Sequence, residues 1–419
     1  MESIIQASNL VSIVTQLLTE FASYGRTPEG GVTRLAYTEV EKLAQDRLRE
    51  LCMAAGLQVR VDAAGNLIAR RSGTQDQAPA VAFGSHLDSV VQAGAFDGVL
   101  GVVAGLAVIH RLNERGIRTR HPLELIAFTG EESARFGVAT VGSKAMVGTL
   151  NSKSLLQLHD ADGVTLPQAL ATRGLAVDKL VDAKRDKGDL KAFIEMHIEQ
   201  GPVLAAQGYQ VGLVTAIAAP TRWQVEVEGQ PGHSGTTRMP FRKDALTAAA
   251  EIVLAVERMA RNATDAADVG TVGVLRVLPG SANTIPGRVE MVVEFRSGDA
   301  RRKQELSEAF LQQVAVIRGQ RGVAVRTRLL ADESPVQLDP DILTVTTKLS
   351  RKRGISFLKM PSGAGHDSMN MARLCPTGMI FVPSQDGVSH QPQEYTKTQD
   401  IAVGVDLLYE TVVQLAGRD

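Results

Sequence analysis

Long apolar runs, blocks of like charge, internal repeats and paired cysteines are all missing from this sequence. No hydrophobic stretch approaches the ~20 residues that a membrane-spanning helix needs, which excludes an integral helical membrane protein. Lysine and arginine number 45 against 46 aspartates and glutamates, a formal net charge of −1. Electrostatics therefore point neither to nucleic acid nor to an anionic membrane. The two cysteines, Cys52 and Cys375, cannot form a C-x-x-C pair, so a zinc ribbon or a thioredoxin-type site is excluded. Both lie among apolar neighbours and read as buried free thiols of a reducing compartment. A basic leader is missing too. Glu2 stands near the start, and Ile4, Ile5, Val11, Val14, Leu17, Leu18 and Phe21 recur at helical spacing. That pattern is an amphipathic helix rather than a signal peptide, and a cytoplasmic location follows.

What is present fits a layered enzyme. A chain of 419 residues is too long for one ordinary core and predicts two domains. Before residue 212, buried strands (81–84, 123–128, 192–198) alternate with helices such as 99–112. This alternation predicts an α/β domain with a central mixed sheet flanked by helices. From Trp223 the order changes to strand, helix (244–259), strand (271–278), strand (289–295), helix (301–317), strand (323–330). That is the order of a ferredoxin-like sandwich. The α/β pattern resumes with strands at 355–360 and 378–382 and a helix at 400–415. Residues 1–212 and 331–419 thus form one discontinuous domain, with an α+β domain at 213–330 inserted. Hinges near 213–220 and Ser334 would let the insert close over a substrate.

Five segments bring metal-ligating residue types to strand ends or glycine-rich loops. An apolar strand runs into Gly84-Ser-His86-Leu-Asp88, and strand carboxyl ends are where open α/β sheets bind ligands. Asp97, in Phe-Asp-Gly before a helix, is either an N-cap or a carboxylate able to bridge two cations. Phe128-Thr-Gly-Glu131-Glu132 ends a buried strand in two acids that repel unless cations compensate. A solvated helix start is the other reading. Glu195-Met-His197-Ile-Glu199-Gln200 alternates acids and histidine along one strand face, and His390 sits in a late loop. His110, His121 and His159 are read as structural. Mixed nitrogen and oxygen donors suit two divalent ions, Zn²⁺, Mn²⁺, Co²⁺ or Ni²⁺, activating a water and polarising a carbonyl.

On these residues, in GSHLDSV, GAFDGVLGV, FTGEESARF, MHIEQGPVL, SGAGHDS and SQDGVSHQP, the chain resembles the dinuclear metallopeptidase superfamily of aminoacylases and carboxypeptidases. Within it, it resembles the hydantoinase/carbamoylase branch of N-carbamoyl-L-amino acid hydrolases, β-ureidopropionases and allantoate amidohydrolases. The resemblance implies His86, Asp97 and His197 on one ion and Asp97, Glu132 and His390 on the other. It implies Asp88 as the group orienting His86 and Glu131 as the general base. His233, in Gly-His-Ser-Gly, is implied as the oxyanion contact, reaching in from the partner of a homodimer, so that the insert is a dimerisation and lid domain. Asn283 and Arg296 are implied to grip the substrate α-carboxylate, a task that suits the planar fork of arginine. Gln200 and His366 are implied to lie near the amide or carbamoyl group. The implied reaction is hydrolysis of an N-carbamoyl-L-amino acid to L-amino acid, CO₂ and ammonia. Allantoate, β-ureidopropionate or an N-acyl amino acid is the alternative substrate. One departure is Arg238, which stands where the family often has proline and is either an added anion contact or a solvated charge.

Overall fold

The computed structural model describes the backbone of residues 2–418 and the side chains of residues 11–418. It falls into two compact units, one of residues 1–215, 338–360 and 366–419, the other of 216–337 and 361–365. The first helix, Glu2–Ser23, buries Val14, Leu17, Leu18 and Phe21. Ile4 and Ile5 of the expected stripe lie outside the described side chains.

The first unit is built on a mixed sheet. Among the described residues, seven of its nine strands run in the order Gln58–Val61, Leu67–Arg71, Leu123–Phe128, Ala80–His86, Leu190–Ile198, Thr377–Val382, Val211–Ile217, and Val336–Gln337 and Phe357–Ser362 both pair with the last. The four middle members of this row are mutually parallel, and their flanking strands are antiparallel to them. Parallel strands covered on both faces read as near-continuous apolar runs, and Ala80–His86 and Leu123–Phe128 are buried at every position. Alternate side chains part to opposite faces. Val81, Phe83, Leu123, Leu125, Ile194 and Met196 join one core with the helices Val99–Glu114 and Thr398–Ala416. Ala80, Ala82, Ile126, Phe128 and Phe193 join a second core on the other side. Each fully buried Val, Leu or Ile contributes roughly 1.5–3 kcal/mol relative to exposure, so both faces resist slippage. Cys52 and Cys375 are buried free thiols, each pushed up to about 12 by burial.

Register then positions the chemistry. Phe83 pairs with Ile194, and the same parallel register continued three residues sets His86 beside His197, with rings 5.9 Å apart. His86 ends its strand, and Glu131 and Glu132 follow Phe128 by a tight turn. The loop bearing His390 follows Val382. All of these lie at the carboxyl ends of the four parallel strands.

The second unit has strands Ala219–Glu228, Val269–Leu278, Arg288–Ser297 and Ala324–Asp332 in an antiparallel sheet. Numbered in chain order, they lie fourth, first, third, second across the sheet. Two helices, Ala245–Arg261 and Ala300–Arg321, begin at Asp244 and Asp299, whose carboxylates accept from backbone N–H groups of the first turn. That is the preferred cap chemistry. The helices and one sheet face enclose Val225, Val227, Ile252, Val289, Val293, Phe295 and Phe310. The expected hinge at 213–220 is not a loop. Val211–Ile217 and Ala219–Glu228 are strands separated only by Ala218.

Candidate metal centre

Asp97 is the hub. Its Oδ1 lies 3.5 Å from His86 Nε2 and 3.1 Å from His197 Nε2. Its Oδ2 lies 3.1 Å from His390 Nε2, which in turn is 3.3 Å from Glu132 Oε1. Of three groups with donor atoms close enough to share an ion among the described residues, two pass through Asp97, His86–Asp97–His197 and Asp97–Glu132–His390, and the third is Glu195–His197–His366. The N-cap reading of Asp97 fails. The helix Val99–Glu114 starts from Gly98 with no side-chain cap, which leaves both Asp97 oxygens to the histidines. The helix-start reading of Glu131-Glu132 fails as well, because that segment is irregular and the next helix begins only at Val141.

The donor chemistry fits divalent cations. His86 Nδ1 is 2.9 Å from the Asp88 carbonyl and His197 Nδ1 is 2.9 Å from the Ile198 carbonyl. A carbonyl can only accept, so each Nδ1 carries a proton, which leaves Nε2 as the nitrogen that would coordinate a bound cation. Each Nε2 faces Asp97 Oδ1, an arrangement that a proton or a cation between the two atoms stabilises. This is the second contact that orients a ligating histidine. The neighbouring acids favour the charged form of these histidines. Burial pushes His86 down, but Glu131, Asp97 and Asp88 raise it well above the ordinary histidine value. Asp97 and Glu132 raise His390 to about 10.

Asp88 takes a different route to His86 from the one expected. Its backbone carbonyl, not its carboxylate, bonds the imidazole, and Asp88 Oδ1 stays 3.9 Å from Nδ1. The carboxylate accepts from the N–H groups of Glu131 at 3.2 Å and Glu132 at 3.0 Å. It therefore holds the turn that carries both acids. Glu131 is buried, with Oε2 3.9 Å from His86 Nε2. Burial first, then Asp367, Glu132 and Asp88, push its carboxyl well above the usual range against the pull of His86.

Gln200 has a left-handed backbone (φ 59°) and donates from Nε2 to Asp97 Oδ2 at 2.8 Å. The residue expected near the carbamoyl group is thus braced on the hub. His366 is buried with its ring 4.5 Å from that of His197 and 5.7 Å from that of Phe381. His110, His121 and His159 stand outside the cluster among the described residues. His233, Asn283 and Arg296 belong to the second unit. There His233 pairs with Thr284 in a short two-stranded antiparallel ladder, and Ser234 N–H donates to the Asn283 carbonyl at 3.0 Å. Arg238 is exposed at the start of a short turn.

Sequence reasoning missed Glu394. Its Oε1 accepts from the N–H groups of Phe96 and Asp97 at 3.0 Å each, and Ser389 Oγ lies 3.2 Å from Asp97 Oδ2 and 3.1 Å from Glu394 Oε2. An acid four residues after His390 was the available signal. Glu394→Ala is expected to weaken divalent-metal affinity about 10- to 100-fold, the usual effect of losing an outer-shell partner. Metal titration of the folded variant checks this, and wild-type affinity would show that the Asp97 turn needs no such brace.

Gly98 is a second fixed point. Its φ is +67°, and a β-carbon there would lie 2.4–2.5 Å from three atoms of the His86 ring. Gly98→Ala should cost about 1–3 kcal/mol by overpacking and displace His86. Thermal unfolding together with metal titration would read both effects, and unchanged values in both would show that the ring can yield.

Comparison with known proteins gives one consistent picture. Residues 82–414 match the model of peptidase family M20/M25/M40. An N-carbamoyl-L-amino acid amidohydrolase of Geobacillus stearothermophilus is 44% identical over 401 residues, covering 96% of this chain and 97% of that protein. A ureidoglycolate hydrolase of Arabidopsis thaliana is 37% identical over 405 residues, covering 95% of this chain and 85% of that protein. The crystal structure of a hydantoinase/carbamoylase family amidase from Burkholderia ambifaria superposes with a TM-score of 0.91 at 36% identity, covering 98% of each chain.

Proposed function

The chain belongs to peptidase family M20/M25/M40, in its hydantoinase/carbamoylase branch, and from that premise we propose that it hydrolyses N-carbamoyl-L-amino acids. It is a hydrolase of linear amide or ureido C–N bonds. The observation that carries the hydrolytic reading is the pair of donor groups sharing Asp97, and the 44% identity to an N-carbamoyl-L-amino acid amidohydrolase supports the substrate. His86, Asp97 and His197 would hold one divalent ion, and Asp97, Glu132 and His390 the other. When bound, two such ions supply Lewis-acid polarisation and a nucleophile at neutral pH.

The chain's own residues do the proton work. Glu131 takes a proton from the attacking water and delivers it to the departing nitrogen. The C–N bond between the carbamoyl carbon and the amino acid breaks, and the carbamic acid released decays to CO₂ and ammonia. A positioned carboxylate can take and return a proton in this way. Asp88 keeps Glu131 in place through the backbone. Asn283 and Arg296 grip the α-carboxylate, with Gln200 and His366 near the carbamoyl group.

The unit of residues 1–215, 338–360 and 366–419 is the catalytic domain, and the unit of 216–337 and 361–365 serves as lid and dimerisation domain. Its edge strand Val269–Leu278 exposes Val274, Leu275 and Leu278, an unpaired edge of the kind that recruits a second strand. In the homodimer, His233 of the partner subunit stabilises the oxyanion.

The substrate class is tested with N-carbamoyl-L-amino acids, allantoate, ureidoglycolate, β-ureidopropionate and N-acetyl-L-amino acids, each with Mn²⁺, Co²⁺, Ni²⁺ or Zn²⁺. The N-carbamoyl compounds should give the highest kcat/KM. Selective turnover of allantoate or ureidoglycolate would reassign the substrate within the same family.

A further inference from the structure

Arg296 and Arg222 lie on adjacent strands of the second unit's sheet, on the face turned away from its helices. Arg222 stands directly opposite Glu294 in the register, and Arg296 is two residues further along the same strand as Glu294. Long side chains at such diagonal positions reach one another. Glu294 gives one oxygen to each arginine. Its Oε1 accepts from Arg296 Nε at 2.7 Å and its Oε2 accepts from Arg222 Nε. Arg296 Nη1 also donates to the Gly363 carbonyl at 3.1 Å.

The geometry has a consequence for the free edges. Both guanidinium groups are held at the inner nitrogen, by one carboxylate. Among the described residues, Arg222 Nη1 and Nη2 and Arg296 Nη2 have no protein acceptor. Two cations share one anion here, leaving a net positive charge. Burial pushes the Glu294 carboxyl up, but Arg296 and Arg222 hold it below its ordinary value, so it remains ionised. Elsewhere on the same face the balance runs the other way, with Arg288 and Arg326 shared among Glu226, Glu228 and Glu290.

We infer that Arg222 is a second contact for the substrate carboxylate, and that Glu294 is the positioning residue that aligns Arg222 and Arg296 as a two-guanidinium grip. This rests on the reading of Arg296 as a carboxylate-gripping residue. A guanidinium fixed at Nε keeps its outer fork free for an incoming carboxylate, the geometry that arginine serves best. The free fork of Arg222, beside the free Nη2 of Arg296, discriminates a carboxylate from its neutral isostere.

The test compares binding of N-carbamoyl-L-alanine with that of its carboxamide. Calorimetry on the full-length, metal-loaded Glu131→Gln protein avoids turnover. The acid should bind at least about tenfold tighter than the amide, a difference typical of one charge-assisted bidentate pair. Adding Arg222→Met or Glu294→Gln should lower the affinity for the acid and leave that for the amide unchanged. Glu294→Asp should restore part of the preference. A merely structural role would weaken both ligands alike, and that result overturns the inference. So does an unchanged acid-to-amide ratio in both variants while Arg296→Met abolishes it. Equal binding of acid and amide to the Glu131→Gln protein, or no binding of either, removes the carboxylate reading itself and the grip with it.

Discussion

Replacing Glu131 by glutamine is expected to lower kcat by about 10²- to 10⁴-fold, the range a positioned general base contributes. Metal content should stay at the wild-type level. The substitution preserves volume and leaves the Asp88 carboxylate free to hold the backbone N–H groups of residues 131 and 132. It removes only the capacity to take a proton. Glu131 is buried beside His86, 3.9 Å from its Nε2, so the variant keeps the donor set around Asp97 intact. Steady-state kinetics and elemental analysis on the same sample separate loss of the base from loss of metal. A kcat within tenfold of wild type, with metal bound, would mean that another group carries the proton.

Asp97→Asn should have the larger effect on binding. Asp97 is approached by three histidine nitrogens and by Gln200, using both oxygens. An amide offers one neutral oxygen and a nitrogen with no lone pair to give. The variant should lose the ability to hold a pair of ions, and activity should fall at least about a thousandfold, beyond the loss from an outer-shell change. Stability supplies an independent readout. A ligand at a hundred times its Kd stabilises the folded state by about 2.7 kcal/mol. Wild-type Tm should therefore rise on adding Mn²⁺ or Zn²⁺, and the variant's should not. An equal rise in both would place the ions away from Asp97.

Much of this was legible in the sequence because the parallel core strands are buried and mostly apolar. Runs such as Leu123 to Phe128 mark buried strands, and the acids and histidines that end them stand out by contrast. The first strands of the sheet, Gln58–Val61 and Leu67–Arg71, left little trace. They are four and five residues long, too short for a period to register. The strand Val211–Ile217 looked like a hinge because it runs almost directly into Ala219–Glu228. Supporting contacts were hidden for another reason. Glu394 holds Asp97 across 297 residues, and Glu195 accepts from Ser85 and Ser368 across 110 and 173. Such pairs arise from topology, and no local pattern encodes them. Asp88 illustrates the same limit. Its spacing from His86 was readable, but the choice between carbonyl and carboxylate depends on where the Glu131–Glu132 turn falls.

The account stands most directly on the claim that one site around Asp97 holds two divalent ions and that turnover needs both. Metal-stripped protein titrated with Mn²⁺, with bound metal per chain and L-amino acid release followed together, tests it. The expected result is two equivalents bound per chain, with activity still rising as the second is taken up. Full activity at a single equivalent, with no second ion bound, would contradict it.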